Sequence, residues 1–109
     1  MDIGFKDKKI RELCENQKTA QKKLGADCAK KLRARLSDLE AADTVTDLTA
    51  GRPHPLTGDR AGQFALDLSG GFRLTFSPDH DPCPELPEGG IDWAKVTIIC
   101  IEYIGDYHD

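Results

Sequence analysis

Phe64-Ala65-Leu66-Asp67-Leu68-Ser69-Gly70-Gly71-Phe72-Arg73-Leu74-Thr75-Phe76 is the stretch on which the fold turns. Phe64, Leu66 and Leu68 alternate with Ala65 and Asp67, and Phe72, Leu74 and Phe76 alternate with Arg73 and Thr75. Successive side chains of a strand point to opposite faces, so a period of two predicts a strand with one apolar and one polar face. Ser69-Gly70-Gly71 supplies the small, permissive residues of a tight reversal. The two runs therefore predict an antiparallel hairpin.

Working outward, Trp93 to Ile104 is rich in β-branched residues and apolar on both faces, which predicts a central strand. Between it and the hairpin, Ser77 to Asp92 holds four prolines, two glycines and five acidic residues, the composition of a long acidic surface loop. Trp93 is expected to anchor the return of that loop. On the N-terminal side, Ile3-Gly4-Phe5 is apolar enough to start a sheet. Ile10, Leu13 and Cys14 then recur at helical spacing, predicting a helix over Lys8 to Glu15. Asn16 to Gly25 is polar and reads as a connection, part of it helix-compatible. Asp27 is the expected N-cap of a second helix running to about Ala42, with Cys28, Leu32, Leu36 and Leu39 as its apolar stripe. Thr44 to Leu48 adds one more helical turn, closed by Gly51. The expected architecture over residues 1–109 is one α+β domain, a basic-surfaced helical hairpin packed on a small, mainly antiparallel, twisted sheet.

Composition narrows the function classes. At 109 residues the chain supports one core. The longest apolar run, Ile98-Ile99-Cys100-Ile101, is too short to span a bilayer, and the N-terminal residues show no secretory pattern, so the expected location is cytoplasmic. Four cysteines without C-x-x-C spacing read as reduced thiols rather than a disulfide or metal framework. A zinc set of Cys83, His80 and His54 matches no recognised ligand spacing, and no metal or other cofactor is expected. The net charge of −4 hides an asymmetry: residues 1–36 carry eleven Lys/Arg against five Asp/Glu, and residues 37–109 four against fourteen. The basic segment is suited either to phosphate backbones or simply to solvent.

The candidate chemistry lies in two places. His54-Pro55-Leu56-Thr57-Gly58-Asp59-Arg60 precedes the hairpin, and Asp106-Tyr107-His108 closes the sequence. Imidazole is the side chain that most readily exchanges a proton near neutrality, so two on one site can divide base and acid work. Arg73 falls on the polar face of its strand, placed either to grip a phosphate or to pair with Asp67 across the hairpin.

Taken in order, Ala29-Lys30-Lys31-Leu32-Arg33, His54-Pro55-Leu56 with Gly58-Asp59-Arg60, Phe72-Arg73-Leu74-Thr75-Phe76 and Asp106-Tyr107-His108-Asp109 resemble the RelE/ParE superfamily of toxins. The nearest likeness is to the HigB group of type II toxin–antitoxin systems. The resemblance implies a RelE-like fold and a metal-independent endoribonuclease that cuts messenger RNA on the ribosome. It also implies neutralisation by a cognate antitoxin, often a helix-turn-helix protein of the HigA kind. It places His54, Arg73, Tyr107 and His108 in catalysis, and Arg60, Thr57, Lys30, Lys31 and Arg33 on the RNA. Relatives commonly carry lysine where this chain has Thr57, so Arg60 or Arg73 would have to supply that charge. A non-catalytic protein of the same fold, inhibiting gyrase or acting through its antitoxin, is the alternative.

Overall fold

The computed structural model describes residues 1–106. Their regular elements are β1 (Asp2–Phe5), α1 (Lys8–Glu15), α2 (Gln17–Leu24), α3 (Ala26–Ala41), β2 (His54–Pro55), β3 (Phe64–Asp67), β4 (Phe72–Pro78) and β5 (Ile98–Asp106). Short 3-10 turns at Val45–Asp47, Gly58–Arg60 and Trp93–Lys95 connect them.

The predicted hairpin forms in the register its alternation dictates: Phe64 opposite Phe76, Leu66 opposite Leu74, Asp67 opposite Arg73. One sheet results, in the order β1-β5-β4-β3-β2. Only β1 runs parallel to its neighbour β5; the other pairs are antiparallel. The strand rich in β-branched residues is thus central, as expected. It begins at Ile98 rather than Trp93, because Trp93–Lys95 turns in a 3-10 helix and sets the indole against Phe64 and Phe76. Trp93 anchors the loop's return in that way.

Helix boundaries follow from capping. Asp7 accepts from the Ile10 amide at 2.9 Å and starts α1. Asn16 ends α1 through its own N–H on Glu12, and its side chain accepts from the Thr19 amide at 3.1 Å. One residue therefore closes one helix and opens the next, and the expected connection over Asn16–Gly25 carries α2. The third helix starts two residues earlier than expected. Its N-cap is Gly25, whose positive φ of 85° makes the bend, while Asp27 sits in the first turn, where its charge suits the helix dipole. The helical layer therefore has three members instead of a simple hairpin.

These helices cover one face of the sheet. Ile10, Leu32, Leu39, Val45 and Leu48 pack with Leu66, Leu74, Phe76, Val96, Ile99 and Ile101 in one core. Phe76, Leu74 and Leu32 are essentially sealed from solvent, and burying each such side chain is worth about 1.5–3 kcal/mol. The Met1 ammonium closes the far end of α3, donating to the carbonyls of Leu39, Glu40 and Ala42 at 3.0, 3.1 and 2.6 Å. Among the described residues no helix is long and apolar enough to cross a membrane.

Candidate functional site

Side chains paired across a ladder share a face, so the register shows what the side of the sheet away from the helices carries. His54 lies opposite Ala65, Ala65 opposite Thr75, and Thr75 opposite Tyr103. These four form one row across β2, β3, β4 and β5 on the face away from the helices. The next row holds Asp67, Arg73 and Gly105. Ala65 keeps the middle of the first row shallow. Thr75 beside it is fully buried, and its hydroxyl has no hydrogen-bond partner among the described residues. A sealed hydroxyl with unmet capacity is unusual in a folded protein.

Each functional group has a visible reason for its position. Gly51 (φ 83°) and Arg52 (φ 49°) turn the chain through the left-handed region before β2. Only glycine fits at 51: a Cβ there would stand 3.0 Å from Cδ of Arg35 and 3.2 Å from the Asp67 carbonyl oxygen. The turn aims the Arg52 carbonyl at His54, whose Nδ1 lies 2.7 Å from it. A carbonyl only accepts, so Nδ1 carries a proton, and in the neutral ring the lone pair is on Nε2. His54 is thereby set as a proton acceptor through Nε2.

Asp67 organises the cations. Arg52 Nε lies 2.9 Å from one of its carboxylate oxygens and Arg73 Nε 3.3 Å from the other. Arg73 also donates to the Gly71 carbonyl at 3.0 Å. The cross-hairpin pair that the sequence permits thus forms, with Arg52 added to it. Arg60, from the turn after β2, places its guanidinium 4.8 Å from the centroid of the Tyr103 ring. A cation on an aromatic face is electrostatically favourable. Gly105 makes that ring position possible, because a Cβ there would meet the Tyr103 hydroxyl oxygen at 2.6 Å.

The structure thus brings His54, Arg60 and Arg73 to one face of the sheet, away from the helices, with Arg52, Asp67 and Tyr103 beside them and Thr75 sealed beneath. Thr57 is exposed, just ahead of the turn that carries Arg60. Lys30, Lys31 and Arg33 are exposed on α3, which packs on the opposite face. Lys30 and Lys31 reach the hairpin end of the sheet, where they line a cleft of about 450 Å³ with Asp27, Arg35 and Ser69. Tyr107 and His108 lie outside the described residues. Asp106, the last residue of β5, stands opposite Phe72, the neighbour of Arg73.

The supposed zinc set is not assembled. His80 instead accepts the amides of Thr97 and Ile98 at 3.1 and 3.2 Å through Nε2, pinning the acidic loop to the start of β5. Among the described residues no three His, Cys, Asp or Glu side chains converge as ligands. Two thiols are held protonated. Burial, then the charge of Glu15, pushes Cys14 up to about 12. Burial, then Glu102 and Asp79, raises Cys100.

No family model matches the chain, and no curated protein sequence does either. Solved structures do. The chain is similar to YoeB in the YoeB–YefM complex from Staphylococcus aureus, with TM-score 0.59 and 17% identity, covering 100% of this chain and 98% of that one. It is similar to a YoeB/ParE toxin from Agrobacterium tumefaciens, with TM-score 0.60 and 12% identity over 99% and 100% of the two chains. The S. aureus YoeB dimer gives 0.58 at 17% identity over 100% and 98%. Three helices on a five-stranded mixed sheet therefore constitute the YoeB/RelE-like α+β fold.

Proposed function

We propose that this protein is the toxin of a type II toxin–antitoxin system and acts as a ribosome-dependent, metal-independent endoribonuclease. The observation that carries the proposal is the shared face: His54, its Nδ1 proton held by the Arg52 carbonyl, one row from Arg73. The fold shared with YoeB and YoeB/ParE toxins supports it. Cleavage would proceed by attack of the ribose 2′-oxygen on the adjacent phosphorus. His54 Nε2 accepts the hydroxyl proton, and the P–O5′ bond breaks to leave a 2′,3′-cyclic phosphate. The departing oxygen takes a proton from His108, while Arg73 offsets charge on the phosphoryl oxygens. β5 delivers the chain to the Arg73 end of the sheet at Asp106, two residues before His108. Tyr107 and Arg60 serve as RNA contacts, as do Thr57, Lys30, Lys31 and Arg33. The partner is a cognate antitoxin, by analogy with the YoeB–YefM complex, and membership of the HigB group rests on His54-Pro55-Leu56 and the closing Tyr107-His108.

Purified protein added to translating ribosomes should cut messenger RNA, and His54→Ala or His108→Ala should slow cutting at least a hundredfold. Equal cutting by wild type and variants would refute the nuclease assignment. The non-catalytic alternative draws on Thr57, which is exposed and uncharged where relatives carry lysine. Growth arrest with intact messenger RNA and altered DNA supercoiling would establish it instead.

A further inference from the structure

Arg52 stands at the junction of the two halves of the site, and three independent features converge on it. Its backbone is left-handed, at φ 49°, the only non-glycine residue so placed among the described residues. Such a conformation is disfavoured for a side-chain-bearing residue and persists only where the surroundings hold it. Its carbonyl accepts the His54 Nδ1 proton at 2.7 Å. Its guanidinium forks onto Asp67, with Nε at 2.9 Å and Nη2 at 3.5 Å on the two carboxylate oxygens. The same carboxylate holds Arg73. Backbone and side chain of one residue thus reach the imidazole and, through one carboxylate, the second guanidinium.

We infer that Arg52 is a positioning residue. Its left-handed carbonyl fixes the tautomer and orientation of His54, and its ion pair with Asp67 fixes where the Arg73 guanidinium meets a phosphodiester. The inference deepens the nuclease reading and rests on it for the identity of the substrate. The two functions of Arg52 are separable because one belongs to the main chain and the other to the side chain. Glycine at 52 keeps the left-handed carbonyl and removes the guanidinium. Valine removes the guanidinium and also opposes the left-handed backbone, since a β-branched residue is rarely found there.

Asp67 gives a second, opposite-signed signature. Its carboxylate lies between two cations, so Asp67→Asn leaves the face more positive while loosening both guanidiniums. RNA should bind at least as well, but the transition state should be held less well.

The test has two arms. Long-range 15N correlation spectra of the full chain report the His54 tautomer without any substrate. Wild type and Arg52→Gly should both show the Nδ1-protonated ring, and Arg52→Val should lose that preference. An Nε2-protonated His54 in the wild type, or an unchanged tautomer in a folded Arg52→Val, would overturn the backbone role; if the valine variant does not fold, the wild-type tautomer alone decides it. In the second arm, cleavage on programmed ribosomes should show kcat for Asp67→Asn lower by about tenfold with KM unchanged or lower. Arg52→Lys should recover more of kcat than Arg52→Gly. A rise in KM with kcat unchanged, or no effect at all, would overturn the side-chain role. If the wild type leaves RNA intact, the nuclease reading fails, the side-chain role falls with it, and the tautomer arm still decides the backbone role.

Discussion

The Arg60 guanidinium rests on the face of Tyr103, 4.8 Å from the ring centroid, joining the turn after β2 to the central strand. Tyr103→Leu removes the aromatic face but keeps bulk. Losing a cation–π contact at such a site costs about 0.5–1 kcal/mol. The thermal midpoint of the variant should fall by about 2–6 °C, and RNA affinity, followed by filter binding, should weaken as Arg60 loses its seat.

Gly105→Ala tests the same contact from beneath. The added Cβ would stand 2.6 Å from the Tyr103 hydroxyl oxygen and 2.8 Å from Cζ, so the ring must leave its place. The variant should lose as much RNA affinity as Tyr103→Leu. A crystal structure should show the ring displaced from Arg60.

Thr75→Val replaces a buried hydroxyl without a partner by a methyl of similar volume. An unmet buried hydroxyl costs about 1–3 kcal/mol, so urea denaturation should show stability unchanged or raised by about 1 kcal/mol. Cleavage should be unchanged, because a hydroxyl sealed from solvent does not reach substrate. Stability up with activity unchanged would assign Thr75 to the interior and not to the site.

Met1 donates from its ammonium to three carbonyls at the end of α3. Protein beginning at Met1 should be more stable than protein carrying a short Gly-Ser extension before it. The expected difference in urea unfolding is about 1–2 kcal/mol, the worth of a charged donor at a helix C-terminus.

Cys14 sets an alkaline limit. Its thiol is pushed from the ordinary 9.0 up to about 12, first by burial and then by Glu15. Above 9.0 the unfolded chain sheds this proton and the folded one keeps it. The contribution to stability is therefore fully present below 9.0 and is lost as pH rises toward about 12. Equilibrium unfolding across that window should show stability falling in wild type and falling less steeply in Cys14→Ala.

Much of the sheet was legible because alternation is local. Phe64, Leu66, Leu74 and Phe76 face the helices as their spacing requires, and the pairing of Asp67 with Arg73 follows from the same pattern. Tyr103 was not legible. Strict alternation would place it on the same face as Ile101. Between Thr75 and Phe76 the register shifts, so Phe76 faces Ile101 and Thr75 faces Tyr103, leaving Glu102 as the extra residue of a bulge. One inserted residue thus carries Tyr103 to the face away from the helices, and nothing in the sequence of β5 announces it. Arg52 was hidden for another reason, because arginine has no preference for a left-handed backbone. Over Asn16–Gly25 the sequence reads as a connection that is helix-compatible only in part, because the apolar signal of α2 is thin: Ala20 is its one buried residue.

β5, an interior strand of the sheet, is also the last of the described strands along the sequence. Among the described residues β1 has no sheet neighbour other than β5, and β4 pairs with both β3 and β5. During synthesis β1 must therefore wait, unpaired in the sheet, until Ile98–Ile101 have followed it. Contacts so distant along the chain slow folding and delay the native state. The sheet therefore closes late, and until it does β1 carries backbone donors and acceptors that no strand satisfies.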